Sequence, residues 1–308
     1  MAQIIVADSK GRTDGSAHRF LEQVESPLPI VLMARTAGYK FNPELLSLDK
    51  YILIEYSEHG YDWDLKRSHT WGWNTCDFPH FADEEYQKFA DFVYEKPPVL
   101  GFTRELLKED VTDLHLPIDY PAWYAASQIQ SKEEFNNRVV QAFHFWGRSH
   151  EARLRLHAEM LAGSSKYGYN ISDNPYYFEN FMLKEDGRKW LTWWMPWYSR
   201  MDMKEILHVN GLSKISIALP GAGVKTFRHV ESSVNSVMLK WKDNLAWSFP
   251  WDSSNCIECE PGREIATIEE ALQDEYLYEV YLEGTANAAR YQVPNYAKHI
   301  SDIIKSKV

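Results

Sequence analysis

The chain has 308 residues, 44% hydrophobic and 25% charged, which is the balance of a soluble globular protein long enough for two domains. The net charge of -11 argues against duplex nucleic acid as a general partner, although a local basic groove fits within that total. No window approaches the about 20 apolar residues of a membrane span, the first residues lack a signal-peptide pattern, and three cysteines fit a reducing, cytoplasmic setting.

In chain order, short apolar runs at 3–9, 28–34 ("LPIVLMA") and 50–56 ("KYILIEY") read as buried strands. The tract 61–78 is loop-like and rich in Trp, His and Asp. Tyr86, Phe89, Ala90 and Val93 have helical spacing, 97–103 is a further strand, and the proline-bounded "LHLPIDYP" (114–121) is extended. Strands alternating with helical or loop segments predict a parallel α/β unit.

A second unit begins near Ser131, which caps a charged helix and forms a capping box with Glu134. Then come a strand ending in glycine (139–147), a helix capped by Ser149 (149–163), a strand (189–196), a short helix (203–210) and a central strand, "SKISIALPG" (213–221). The segments 244–251 and 254–259 follow. One helix is predicted over 267–291 and another from Val293. "CIEC" (256–259) is formally CxxC, but it does not open a helix after a strand and has no second pair to complete a zinc site.

The stretch 215–234, "ISIALPGAGVKTFRHVESSV", carries the chemistry. Gly221 and Gly223 permit close backbone approach, and a helix starting near Val224 offers free N–H groups to an anion. Helical spacing puts Lys225, Arg228 and Ser232 on one face, pointing away from the core. Phe227, Val230, Val234, Val237 and Met238 fall on the opposite, sheet-packing face. Two cations at a helix start are unfavourable unless something anionic binds them, which a phosphate or diphosphate does. Glu231, one turn beyond Arg228, is placed to accept hydrogen bonds from vicinal hydroxyls such as those of a ribose. The alternative is a solvated basic face with an Arg228–Glu231 surface pair worth little. The segment is neither a Walker A loop nor GxGxxG.

The order strand, Pro-Gly turn, Arg and Glu on a helix in 213–232 resembles the donor-binding segment of exostosin-like glycosyltransferases of the GT-B type. "FHFWGRSHEARLRLH" (143–157) resembles the strand–Gly–Arg-helix that opens their C-terminal domain, and the final helices resemble the tail that crosses back onto the N-terminal domain. The resemblance spans roughly 135–291. With no Golgi signal, it suits a bacterial or viral enzyme such as those of large algal viruses (the chlorovirus type), acting in host cytoplasm in the viral case.

The resemblance implies two Rossmann-like domains facing a central cleft: an acceptor-side domain (1–130), a nucleotide-sugar-binding domain (131–275) and C-terminal helices packing back (276–308). It implies a UDP- or GDP-sugar donor, a glycan or glycoprotein acceptor and no cofactor. Arg228, Lys225 and the Gly221–Gly223 turn would hold the diphosphate, with Arg153 and Arg148 closing on it. Glu231 would take the ribose, and Trp197 or Tyr198 would stack on the base. For Arg153 a solvated helix arginine is an equal reading, and for the two rings core packing is the stronger one.

An inverting transfer needs a base near the acceptor hydroxyl, and the loop after the third strand supplies Asp62, Glu58 and His59, with Asp14 as a further candidate. "DWD" (62–64) is formally the DxD of metal-dependent GT-A transferases, but it lies eight residues beyond Ile54 rather than at a strand end. The competing functions are a non-catalytic glycan-binding protein using the 12 tryptophans, a GT-A-type transferase, and a DNA-modifying sugar transferase.

Overall fold

A computed structural model describes residues 2–11, 15–33, 40–56, 61–62, 67–68, 84–124, 129–146, 151–161, 190–194, 203–220 and 225–308. Among the described residues the chain runs β1 (Ile4–Val6), α1 (Gly15–Leu21), β2 (Ile30–Met33), β3 (Ile52–Glu55), β4 (Tyr61–Asp62), β5 (Arg67–Ser68), α2 (Glu84–Glu95), β6 (Leu100–Thr103), β7 (His115–Pro117) and α3 (Lys132–Asn136). It continues through β8 (Val140–Trp146), α4 (Glu151–Leu161), β9 (Trp190–Trp194), α5 (Met203–Leu212), β10 (Ser213–Ile217), α6 (Phe227–Asn235), β11 (Val237–Trp241), β12 (Ile257–Cys259), α7 (Glu264–Ala271), α8 (Leu277–Arg290) and α9 (Val293–Lys307).

The fold is mixed α/β, built on two five-stranded sheets in the orders β1-β2-β3-β6-β7 and β12-β11-β10-β8-β9. Every pairing within them is parallel. Parallel sheets are covered on both faces, so their strands read as continuous apolar runs. Ile30–Met33 and Ile52–Glu55 are buried at every position. The first sheet adds strands in chain order. The second reverses direction between β8 and β10: β9 lies on one side of β8 and β10 on the other.

The predicted capping box is present: Ser131 N–H donates to Glu134 Oε2 at 2.7 Å, and Glu134 N–H donates to Ser131 Oγ at 3.3 Å. Other expectations are corrected. The helix over 267–291 is two, α7 and α8, separated at 272–276. Val237 and Met238 belong to strand β11 rather than to the preceding helix, because Ser236 is extended and breaks it. Helix α1 had no strong apolar period to announce it, although Ala17, Phe20 and Leu21 are fully buried.

The largest core cluster joins the faces of both sheets. It holds Phe20 of α1 with Ile30, Ile52 and Phe102 of the first sheet, Val230 and Val234 of α6 with Met238 of the second, and Tyr291, Tyr296, Ile300 and Ile304 from the C-terminal segment. Tyr296 stacks on Phe20 with ring centroids 5.2 Å apart. Glu25 N–H donates to Ser301 Oγ at 2.9 Å. Ala122 exchanges backbone hydrogen bonds with Tyr291 O and Val293 N at 2.7 and 3.1 Å. Residues 106–108 also pair antiparallel with 244–246, Leu107 opposite Leu245. The two sheets are therefore stitched together by backbone as well as by packed rings.

Candidate functional site

In an open α/β sheet, ligands sit beyond the carboxyl ends of the strands where the strand order reverses. Here that point lies between β8 and β10, and the side chains gathered there are cationic. Arg153, on α4, is 6% exposed and donates from Nη2 to Leu219 O at 2.6 Å, just past the end of β10. The guanidinium of Arg228, on α6, lies 3.7 Å from the ring centroid of Phe145 near the end of β8. His144, from the same strand, is fully buried. Burial first, and then the charges of Arg153, His157 and Arg228, hold its imidazole well below its ordinary pKa. His157 Nδ1 lies 2.8 Å from Thr192 Oγ1 on β9. Arg153 is thus buried rather than a solvated helix arginine.

The start of α6 differs from the expected face pattern. The helix begins at Phe227 after Thr226, whose N–H donates to Nδ1 of His229 at 3.1 Å. Lys225 lies outside the helix and is 1% exposed. Its ammonium pairs with Asp119 Oδ1 at 2.6 Å, donates to Ala246 O and sits 4.7 Å from the Trp247 ring centroid. Its backbone N–H donates to Glu105 Oε1 at 3.2 Å. Asp119 in turn accepts from Ser248 N–H at 2.6 Å and from the Tyr291 hydroxyl at 3.3 Å. The cation that the sequence places on a polar helix face is therefore internal, neutralised by a carboxylate that follows the first sheet. Ser232 likewise faces the sheet, 3.1 Å from Ser216 Oγ, and Phe227, expected in the core, is 40% exposed.

Arg228 and Glu231 do pair, Nη1 donating to Oε2 at 3.1 Å, but not as a solvated surface pair: their side chains are 8% and 15% exposed. Burial raises the Glu231 carboxyl to about 7 against the opposing charge of Arg228, and lowers Arg228 to about 10, so the guanidinium stays charged near neutrality.

Glu231 also lines a cavity of about 350 Å³. Its walls are Phe227, Val230 and Val234 of α6, Leu207 of α5, Ser16 and Arg19 of α1, and the segment 120–124 that follows β7. Trp123 and Tyr124, in that segment, are 38% and 40% exposed. The Arg19 guanidinium lies 5.1 Å from the Trp123 ring centroid.

Several predicted site residues, Asp14, Glu58, His59, Arg148, Trp197, Tyr198, Gly221 and Gly223, lie outside the described residues, as does the side chain of Asp62. The backbone of Asp62 pairs with Arg67 in the two-stranded antiparallel ribbon β4–β5. Residues that sequence reasoning missed are Asp119, Glu105, His144 and His229. His144 was hidden inside an apolar run, "AFHFW", and Asp119 between two prolines in a segment read only as extended. Cys256 and Cys259 are buried free thiols, with burial pushing Cys259 up to about 12 and Cys256 higher still; this is the reverse of a reactive CxxC. Among the described residues no group of His, Cys, Asp and Glu can hold a metal ion, and no helix is long and apolar enough to cross a membrane.

The buried imidazoles make acid stability predictable. Burial lowers His115 to about 4, His229 to about 3 and His144 well below 6.5. The unfolded chain takes up protons near 6.5 that the folded chain refuses, so stability is present above that pH and lost as pH falls towards 4. Glu231 works the other way. Its folded pKa lies above its unfolded value of 4.5, so its share of stability is greatest below 4.5 and is lost as pH rises to 7. The urea midpoint is expected to fall between pH 7 and 5, and to fall further in Glu231→Gln. Equal slopes in the two proteins would remove the buried-carboxyl assignment.

No family model matches this sequence, and no curated protein matches it. Among solved structures, Anabaena HepE in complex with UDP-glucose matches with a TM-score of 0.52 and 13% identity, covering 99% of this chain and 100% of that one. HepE in complex with UDP and glucose gives the same TM-score, identity and coverage. A glycosyltransferase from Rickettsia africae matches over 99% of this chain and 97% of its own, at 10% identity and a TM-score of 0.40. At these identities the likeness is one of fold, and the HepE matches carry it: the chain shares that protein's mixed α/β architecture from end to end.

Proposed function

We propose that the chain is a glycosyltransferase of the GT-B type, exostosin-like in its donor segment, that moves a sugar from a nucleoside-diphosphate donor to a hydroxyl of a glycan acceptor. The observation that carries this reading is the placement of two buried guanidiniums, Arg153 and Arg228, at the point where the second sheet reverses strand order. A buried cation cluster at a sheet's carboxyl end is a site for an anion. The fold is shared with HepE, which was solved with UDP-glucose, and this supports a nucleotide sugar as that anion.

In this reading Arg228 and Arg153, joined by Arg148 and the Gly221–Gly223 turn, hold the diphosphate, and Glu231 offers its carboxylate to the ribose hydroxyls. Lys225 acts by position: its pairing with Asp119 fixes the loop from which α6 starts. As the acceptor oxygen bonds to the anomeric carbon, the bond from that carbon to the diphosphate oxygen breaks and the electron pair leaves with the diphosphate. The guanidiniums stabilise the charge that builds there, so the chemistry needs no metal ion. The acceptor proton passes to a carboxylate or imidazole from the loop after β3, with Asp62, Glu58 and His59 as the candidates.

A thermal-shift and hydrolysis panel of UDP- and GDP-sugars tests this. A ligand held at about 100 times its Kd stabilises the folded state by about 2.7 kcal/mol, so one nucleotide sugar should raise the melting temperature by several degrees and release free sugar slowly. No shift with any nucleotide, together with a shift from a glycan alone, would replace the transferase by a glycan-binding protein.

A further inference from the structure

Beside the two arginines runs a line of polar side chains that the transfer reaction leaves unused. His144 of β8 and Thr192 of β9 stand opposite each other in the sheet and are 1% and 4% exposed. Thr192 Oγ1 lies 3.4 Å from His144 Nδ1 and 2.8 Å from His157 Nδ1 on α4. His157 is half-buried, so the line leads from a partly solvated imidazole to a buried one. Arg153 sits one turn before His157 on the same helix. A strand covered on both faces calls for apolar side chains, and burying polar ones costs desolvation.

A threonine hydroxyl donates one hydrogen bond and accepts others, so a line of imidazole, hydroxyl and imidazole has two directions. In the first, His157 Nδ1–H donates to Thr192 Oγ1 and the hydroxyl donates to His144 Nδ1. In the second, His144 Nδ1–H donates to the hydroxyl, which donates to His157 Nδ1. Passing from the first to the second takes up one proton from solvent at His157 Nε2. The Nδ1 proton of His157 moves to Thr192, and the hydroxyl proton moves to His144, which keeps its Nε2 proton and becomes imidazolium.

Local charge decides between the two. The charged and titratable groups acting on His144 are Arg153 and His157 of α4 and Arg228 of α6, the last paired with Glu231. Burial and these cations hold His144 neutral. An anion at the arginines offsets their charge and favours the imidazolium.

We propose that His157, Thr192 and His144 form a proton relay that charges His144 when an anion binds at Arg153 and Arg228. This rests on the donor reading above and adds a positioning role to it. As negative charge builds on the departing diphosphate, a proton entering behind the arginines matches it.

Calorimetry of inorganic pyrophosphate binding to the full chain, at pH 6 in buffers of different ionisation enthalpy, counts the protons taken up. Wild type should take up about 0.5–1 proton more than His144→Gln. The ligand's own titration is common to both and cancels. Thr192→Ser keeps the hydroxyl and should match wild type. Thr192→Val leaves the imidazolium Nδ1–H without that acceptor and should match His144→Gln. From pH 8 to pH 6, pyrophosphate affinity should rise about tenfold more in wild type than in His144→Gln. Melting curves establish that each variant is folded. Should His144→Gln not fold, nitrogen-15 spectra of histidine-labelled chains carry the test: one imidazole should gain a proton with pyrophosphate in wild type and Thr192→Ser, but not in Thr192→Val. Equal proton uptake in wild type and His144→Gln, or Thr192→Val behaving as wild type, overturns the relay while the donor reading stands. Failure of wild type to bind pyrophosphate also overturns the relay, and failure to bind UDP as well removes the donor reading.

Discussion

Lys225→Met is expected to lower the stability of the folded chain by about 3–5 kcal/mol, the usual cost of removing one partner from a buried ion pair. The carboxylate of Asp119 is completely buried and, among the described residues, would keep Ser248 N–H and the Tyr291 hydroxyl as donors to its oxygens. Burial already pulls the Lys225 ammonium below its ordinary pKa, with Asp119 as the largest opposing influence. The urea midpoint should drop with little change in slope. The double variant Lys225→Met/Asp119→Asn should recover part of the loss, because it removes the stranded charge as well. The same pair of proteins separates two roles for this lysine. If the ammonium holds the fold, pyrophosphate binds the folded Lys225→Met chain nearly as well as it binds wild type. Loss of pyrophosphate affinity with an unchanged urea midpoint would return Lys225 to direct phosphate contact.

The second large effect concerns Arg228. Arg228→Ala should weaken pyrophosphate and UDP by about a hundredfold, since truncating a desolvated, hydrogen-bonded charge costs about 2–5 kcal/mol. Arg228→Lys should recover only part of this: an ammonium cannot reproduce the planar stack on Phe145, 3.7 Å away, or the forked donors of a guanidinium. The stability cost of Arg228→Ala should depend on pH. Glu231 already sits at about 7 with its partner in place, and without the partner it rises further. At pH 6 the carboxyl is then neutral and inexpensive to bury, whereas at pH 8 ionising it costs stability. Unfolding curves at the two pH values should therefore diverge more for Arg228→Ala than for wild type. Unchanged nucleotide affinity in both Arg228→Ala and Glu231→Gln would sink the donor site.

Much of the architecture was legible because parallel strands covered on both faces leave unbroken apolar runs, as at Ile30–Met33 and 52–54. The capping box at Ser131 was legible because its two partners are three residues apart. What failed was the junction of α6 and β11. Val230, Val234, Val237 and Met238 keep helical spacing across the end of the helix at Ser236, and pairing with β10 and β12 reveals the strand. The site was half legible for a related reason. Arg228 and Glu231 form a local pair, visible as three residues' separation, whereas the partner of Lys225 lies 106 positions away in a segment with no pattern of its own. Local spacing shows the Arg228–Glu231 pair but cannot tell a cation facing a ligand from one facing a distant carboxylate.

The stacking of Tyr296 on Phe20, the bond from Asp119 N–H to the Tyr296 hydroxyl at 2.7 Å and the contact of Ser301 with Glu25 have a consequence for synthesis. As the chain leaves the ribosome, its opening strands and helix emerge long before residues 293–307 exist to cover them. The apolar flank made by Phe20 must wait, uncovered, through the translation of the whole intervening sequence. Nascent chains halted before Val293 should accordingly bind chaperones and yield to protease within their first 120 residues, and should lose that sensitivity once α9 has been made.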